Sequence, residues 1–269
     1  MVFSLFQSQP PAREKRQINL AGRFYTLAIN RRQNAHRMTM RIRDRNISLT
    51  IPFGINDAEI NHFLAANQAW IDAQIADQEN ALADALPGQG KTPMIYYKGV
   101  PTEIILIRDP SHQNRSKIEP GLNSLTIYMQ AESRLRPVKV LENHLRQEAR
   151  QLIRYHLDRL LPLLGEDPVP IAIRDQKTRW GSCSSTRRLS FNWRLVMSPP
   201  ESLEYVVAHE AVHLIHHDHS SRFWGKLAEV MPDYKMHQQW LRDHQTVLFA
   251  DLERCLNGLR PQTAPPMEG

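Results

Sequence analysis

The residues best suited to chemistry are His209, Glu210 and His213, which form the pattern H-E-x-x-H. On a helix, residues four apart share one face with Cβ atoms about 5–6 Å apart, so both imidazoles can bind one Zn²⁺ at roughly 2.0–2.1 Å each. Glu210 lies one residue round the helix from His209. Its carboxylate can therefore act as a general base on a zinc-bound water without binding the metal. The pattern predicts a zinc-dependent hydrolase site.

The third metal ligand must come from outside this helix turn. His217 shares a face with His209, but eight residues of straight helix span about 12 Å, which is too far for one ion. His219 can reach the metal if the chain leaves the helix and folds back, and Asp218 tolerates the left-handed conformation that ends a helix. Glu229 is the alternative, because two histidines and a glutamate also bind zinc. We predict His219 as the third ligand and one Zn²⁺ per chain, with Glu229 left open.

The residues before the motif predict a well-defined helix start. Ser198 can accept hydrogen bonds from the first turn, Pro199 suits the first helical position, and Glu201 completes a capping box. Three helices are predicted from this point, over about 199–217, 221–230 and 234–253.

Alternating apolar and polar residues predict half-buried strands in the first half of the chain. These strands cover 24–29, 37–42, 47–51, 95–97, 103–107 and 124–129. A helix capped by Asn56 or Asp57 interrupts them, and a long helix starts at Pro137. Strands over 169–174 and 189–196 then surround the loop 178–184. The predicted fold is α+β, with an N-terminal antiparallel β-rich part and a C-terminal helical part that carries the H-E-x-x-H helix.

The predicted domain organisation is a single domain over 19–258 between a flexible tail (1–18) and a disordered tail (259–269). Its β-rich part covers 19–135 and its catalytic part 136–258. The chain has 269 residues, of which 41% are hydrophobic, and no run approaches the ~18 apolar residues of a membrane span. The two cysteines, Cys183 and Cys255, are too few for a disulfide framework. We expect a soluble cytoplasmic protein without membrane contact.

Positive charge is concentrated at the N-terminal end. Residues 1–50 contain ten Lys and Arg residues against Glu14 and Asp44. A basic end of this kind can bind a nucleotide or nucleic acid, although a solvated strand surface is the plainer interpretation.

Further runs accompany the motif: RWGSCS at 179–184, FNWRL at 191–195, PP at 199–200, YVVAHEAVH at 205–213, HS at 219–220 and FW at 223–224. Together they resemble the YgjP-like metallopeptidase family, which is related to the SprT-like zincin proteases, and the resemblance covers about residues 23–250. It implies a zincin-type fold, with His209, His213 and His219 as zinc ligands and Glu210 as base. Asp218 departs from the asparagine that often precedes the third histidine. His216 stands where a metzincin motif requires glycine, which argues against that class.

The candidate substrate-binding residues are Arg179, Arg187, Arg188 and Asn192. The preferred function is peptide-bond hydrolysis of a peptide or protein, held as an added strand along the edge 189–196. Arginine forks also suit phosphate oxygens, so a nucleoside triphosphate pyrophosphatase or phosphohydrolase is the alternative. A non-catalytic, zinc-containing DNA-associated module fits less well, because structural zinc usually takes four protein ligands. Cys183 is expected to pack or hydrogen-bond beside the site and not to act as a nucleophile.

Overall fold

The structure is a computed structural model that describes residues 12–20, 22–43, 46–87, 92–109 and 116–262. The strands are β1 (Arg13–Leu20), β2 (Arg23–Arg31), β3 (Thr39–Arg43), β4 (Asn46–Ile51), β5 (Met94–Tyr97), β6 (Val100–Asp109), β7 (Lys117–Pro120), β8 (Ser124–Gln130), β9 (Ile171–Arg174), β10 (Gly181–Cys183), β11 (Leu189–Asn192) and β12 (Pro261–Gln262). The helices are α1 (Asp57–Ala66), α2 (Gln68–Ala85), α3 (Pro137–Leu163), α4 (Pro200–Val212), α5 (Ser221–Val230), α6 (Tyr234–Asp243), α7 (Gln245–Leu248) and α8 (Leu252–Cys255), with a 3-10 helix over Trp193–Met197. Within the described ranges, no helix is both long enough and apolar enough to cross a membrane. The α+β class is confirmed.

The chain divides into two compact units, residues 1–81 and 82–269. The prediction was one domain over 19–258, with its internal division after residue 135. The division lies inside α2, where neither glycine nor proline interrupts the helix. The sequence therefore carries no linker signal at this position.

The first unit contains a four-stranded sheet in the order β1-β2-β4-β3. The prediction of antiparallel strands is wrong for β2 and β4, which run parallel, while β1 and β3 pair antiparallel at the two edges. A sheet with one buried face shows the same alternation of apolar and polar residues in both arrangements, so the pattern does not report strand direction.

One face of this sheet forms the core of the first unit with α1 and α2. Leu27 of β2 and Leu49 of β4 are fully buried, as are Ile60 of α1 and Ile71 of α2. Asn56 caps α1 as expected: its Oδ1 accepts from the Glu59 backbone N–H at 3.0 Å, and its own N–H donates to the Glu59 carboxylate at 2.9 Å.

The second unit contains the remaining strands in two mixed sheets. The larger runs β12-β6-β8-β7, with β5 also paired to β6, and the smaller runs β10-β11-β9. The long helix α3 begins at Pro137 as predicted, and it buries a stripe that includes Leu141, Leu145 and Leu157. This stripe packs in one core with α4 and the 3-10 helix.

Two strands lie inside the predicted tails. β1 begins at Arg13 within 1–18, and β12 covers Pro261–Gln262 within 259–269. The residues of β1 alternate between exposed and half-buried, which is the expected result for an edge strand with few large apolar side chains. The charged sequence of β1 was therefore predicted to be part of the flexible tail. Residues 1–11 and 263–269 lie outside the described residues.

Candidate metal centre

Helix α4 carries His209 and Glu210, but it starts and ends differently from the prediction. It begins at Pro200 with Pro199 as N-cap, and no side chain caps it. Ser198 instead donates its hydroxyl to the Leu195 carbonyl at 2.7 Å, where its backbone N–H also ends the 3-10 helix that precedes α4. The predicted capping box is therefore absent. α4 ends at Val212, not near residue 217, and the chain turns immediately after His213.

This early turn brings the three predicted histidines together. Ligand nitrogens of His209, His213 and His219 all lie within 4.8 Å of one another, and the His209 and His219 Nε2 atoms are 3.1 Å apart. Two nitrogens bound to a tetrahedral zinc at 2.0–2.1 Å are about 3.3 Å apart. The donor set therefore fits a divalent transition metal.

The orientation of the His213 ring also suits a ligand. Its Nδ1–H donates to the His216 carbonyl at 3.0 Å, which leaves Nε2 with a lone pair for a metal. Glu229, the alternative third ligand, lies outside the group: its side chain is 66% exposed and pairs with Lys226 at 2.8 Å. His217 lines the cleft beside the histidines without belonging to the group.

A buried phenylalanine, Phe223 of α5, contacts all three imidazoles. Its ring centroid is 4.9 Å from that of His209, 4.5 Å from that of His213 and 4.8 Å from that of His219. Trp224 lies beside the same group, 5.6 Å from His219. Both aromatic residues belong to the sequence run FW at 223–224, but the run does not show their contact with the histidines. The signal that could have revealed it is the spacing of Phe223, four residues after His219.

The surroundings favour the neutral form of His209 and His213, which is the form that binds metals. Burial lowers the pKa of His209 to about 3, and His213 and His219 add to this shift. Burial is also the largest cause of the lowered pKa of His213.

Glu210 is buried at the bottom of the cleft, against the first residue of β10. A Cβ atom placed on Gly181 would lie 2.6 Å from both Cγ and Oε1 of Glu210, so only glycine leaves room for this carboxylate. Burial raises the pKa of Glu210 to about 8, and the positive charge of Arg179 opposes the shift. The carboxyl group therefore binds a proton more strongly than one in water.

Replacement of Gly181 by alanine tests this close approach. We expect Gly181→Ala to lower the free energy of unfolding by about 1–3 kcal/mol, because the new methyl group overlaps Glu210. Gly225→Ala is the matched control: it lies in α5 with no atom within 4 Å of the added Cβ, and it should be neutral or stabilise by up to about 1 kcal/mol. Urea unfolding measures both. Equal stability of the two variants would contradict the contact.

The four predicted substrate-binding residues occupy different places. Arg179 lines the cleft with Glu210 and the histidines. Arg187 sits in the turn between β10 and β11, where it has φ 57° and pairs with Glu166. Arg188 is exposed after the same turn and does not line the cleft.

The prediction for Asn192 is corrected by its burial. Asn192 is fully buried, and its amide donates to the Gln176 carbonyl at 2.6 Å. Its Oδ1 accepts from the Arg194 backbone N–H at 3.1 Å, which caps the 3-10 helix. The amide NH₂ group and Oδ1 of Asn192 both form hydrogen bonds within the protein, so this side chain stabilises the local backbone and does not face a substrate.

The edge strand beside the cleft also differs from the prediction over 189–196. That segment forms β11 in the centre of its sheet and then the 3-10 helix, whereas the edge strand that lines the cleft is β10. Burial and the charge of Glu210 raise the pKa of Cys183 in β10. A protonated thiol agrees with the expectation that Cys183 is no nucleophile.

The cleft has a volume of about 410 Å³ and is lined by the three histidines, Glu210 and Arg179. A larger groove of about 680 Å³ lies between β7, β8 and α3. Within the part of the chain that the structure describes, the three histidines are the one group of potential metal ligands. Chemistry that needs a metal is therefore assigned to the smaller cleft.

Comparison with known proteins agrees with this site. One similar solved structure, the metallopeptidase zymogen of Pyrococcus abyssi abylysin, is 24% identical, with 36% of this chain and 95% of that chain covered and a TM-score of 0.31. A likeness of this extent supports no inference. No curated protein matches the chain. A family model described as the YgjP-like metallopeptidase domain matches residues 36–244, which include the whole H-E-x-x-H segment and His219. The chain therefore belongs to the YgjP-like metallopeptidase family.

Proposed function

We propose that this protein is a zinc-dependent metallopeptidase that hydrolyses peptide bonds in the cleft between α4 and β10. The observation that carries the proposal is the group of three imidazoles with a buried carboxyl group, Glu210, in the same cleft. The family implies a divalent metal, and three histidine nitrogens at this spacing favour zinc. When bound, zinc supplies Lewis acidity, which lowers the pKa of water and polarises a carbonyl group.

Side chains of the protein perform the remaining roles, which are metal binding and proton transfer. His209, His213 and His219 hold the metal. Glu210 accepts a proton from the attacking water at its carboxylate, as the water oxygen bonds to the carbonyl carbon of the substrate. It then gives this proton to the leaving amine nitrogen as the C–N bond breaks.

The edge strand β10 is suited to hold a substrate peptide. It pairs with β11 on one side, and its residues Gly181, Ser182 and Cys183 line the cleft on the other. An extended peptide can add to such an edge through main-chain hydrogen bonds, which makes recognition largely independent of side chains. A peptide or protein is therefore the proposed substrate. The cytoplasmic location stays a prediction.

Hydrolysis of a nucleoside triphosphate is the second candidate, and Arg179 is the observation that favours it. This exposed guanidinium lines the cleft, where it could pair with phosphate oxygens. Arg187 and Arg188, which were also predicted to bind substrate, do not line the cleft. A purely structural zinc site is not proposed, because three histidines leave a fourth position open.

A substrate panel with matched arginine variants separates the two candidates. A denatured protein, a neutral peptide and a set of nucleoside triphosphates are incubated with the wild type, Arg179→Ala and Arg188→Ala, each with and without a chelator. We expect chelator-sensitive cleavage of the peptide and the denatured protein by all three proteins. Nucleotide hydrolysis that needs metal and falls about tenfold or more in Arg179→Ala, but not in Arg188→Ala, would favour the second candidate.

A further inference from the structure

The sheet of the first unit has one face that does not contribute to the core. In β2 and β4 the core residues alternate with half-buried or exposed ones, and these define the outer face of the sheet. The register aligns Lys15 of β1, Ala28 of β2, Ser48 of β4 and Arg41 of β3 in one row across all four strands. Two small side chains are therefore flanked by a cation at each edge.

The charge of this outer face has one sign. None of its positions in β1 to β4 is an aspartate or a glutamate. Glu14 alternates with Arg13 and Lys15 and belongs to the opposite face, where it pairs with Arg31 at 3.2 Å. In the described part of the chain, no carboxylate pairs with Arg13, Lys15 or Arg41. These cations are available to a polyanion.

An aromatic ring completes the outer face. Phe24 of β2 is 74% exposed and lies on the same side as Ala28. Exposure of a large apolar ring to water is unfavourable, whereas unpaired nucleobases stack on such rings. A face that combines cations, small polar side chains and an exposed ring has the chemistry of a single-strand binding surface.

The width of the sheet determines which form of nucleic acid its outer face can bind. Three strand spacings of about 4.8 Å separate β1 from β3 by roughly 14 Å. The major groove of duplex DNA is about 12 Å wide and admits a helix or a two-stranded ribbon. A four-stranded face of this width does not enter it, whereas a flexible single strand can lie across it.

We propose that the outer face of the β1-β2-β4-β3 sheet binds single-stranded nucleic acid, with Arg13, Lys15 and Arg41 on phosphates and Phe24 stacked on a base. This interaction is independent of the proposed peptidase activity, because none of these residues belongs to the metal centre.

Fluorescence anisotropy of the full chain with a labelled oligothymidine of about 20 nucleotides tests the proposal. Arg13→Gln, Lys15→Gln and Arg41→Gln combined should weaken binding at least about tenfold at low salt. They should also reduce the slope of log K against log salt by about 2, or roughly 0.7 for each lost phosphate contact. The matched control replaces exposed arginines of the second unit, Arg134, Arg150 and Arg254, by glutamine and so removes the same charge. It should bind like the wild type.

The role of the ring is tested separately. Phe24→Ala should weaken binding about fivefold or more, and Phe24→Trp should retain it, because stacking needs an aromatic face. Circular dichroism and metal content should be unchanged in all variants, since the substituted residues are outside the core and the metal centre. The proposal is overturned if the control variant loses as much affinity as the sheet variant, or if a duplex of equal length binds as tightly. Binding to anionic phospholipid vesicles without binding to the oligonucleotide would overturn it as well.

Discussion

The variant Glu210→Gln is expected to keep its metal and to lose roughly 100-fold or more of the wild-type kcat. Glutamine has the shape of glutamate, so the close contact with Gly181 is preserved. It lacks a carboxylate, however, and cannot accept the proton of the attacking water. The loss should appear in kcat and kcat/KM together, because the proton transfer is part of the chemical step and not of substrate binding.

The control for this variant is Glu201→Gln, which makes the same change at an exposed position in the first turn of α4. It should have the wild-type kcat. Metal analysis of both proteins excludes metal loss as the cause. Turnover by Glu210→Gln at the wild-type rate would show that Glu210 takes no part in the reaction.

The variant His213→Ala should lose the metal, whereas His217→Ala should keep it. The wild type is expected to contain about one zinc per chain, and two imidazoles in place of three leave the ion with a much weaker site. His217 is the matched control, because it lines the same cleft without joining the group of ligand nitrogens.

Thermal unfolding gives a second measurement of the same difference. A metal that binds only the folded protein stabilises it, so a chelator should lower the Tm of the wild type and of His217→Ala. The Tm of His213→Ala should not respond. Full zinc occupancy in His213→Ala would contradict the assignment of the ligands.

The group of three histidines was predictable because its main signal is local. The spacing of His209 and His213 on a helix decides that their side chains share a face. His219 required one more inference, that the chain leaves the helix and folds back. The sequence placed this exit near residue 217, whereas the structure places the end of the helix at Val212.

The surroundings of the site were not predictable in the same way. The contact between Gly181 and Glu210 joins residues far apart in the chain, and no pattern in either segment reports it. Asn192 was predicted to bind substrate, but only the tertiary structure shows that this residue is fully buried. β10 has three residues and begins with glycine, so it was too short to show strand alternation.

The contact between Phe223 and the three imidazoles has a consequence for how the metal binds. Packing in the fold contributes to the ordering of these rings, since a fully buried phenylalanine contacts them at centroid distances of 4.5–4.9 Å. Immobilising a mobile side chain at a binding site costs about 0.5–1.5 kcal/mol, and a preorganised site avoids much of this cost. The affinity for the ion therefore depends on the docking of α5 as well as on the ligands. A substitution that loosens this helix would release the metal even though no ligand residue is changed.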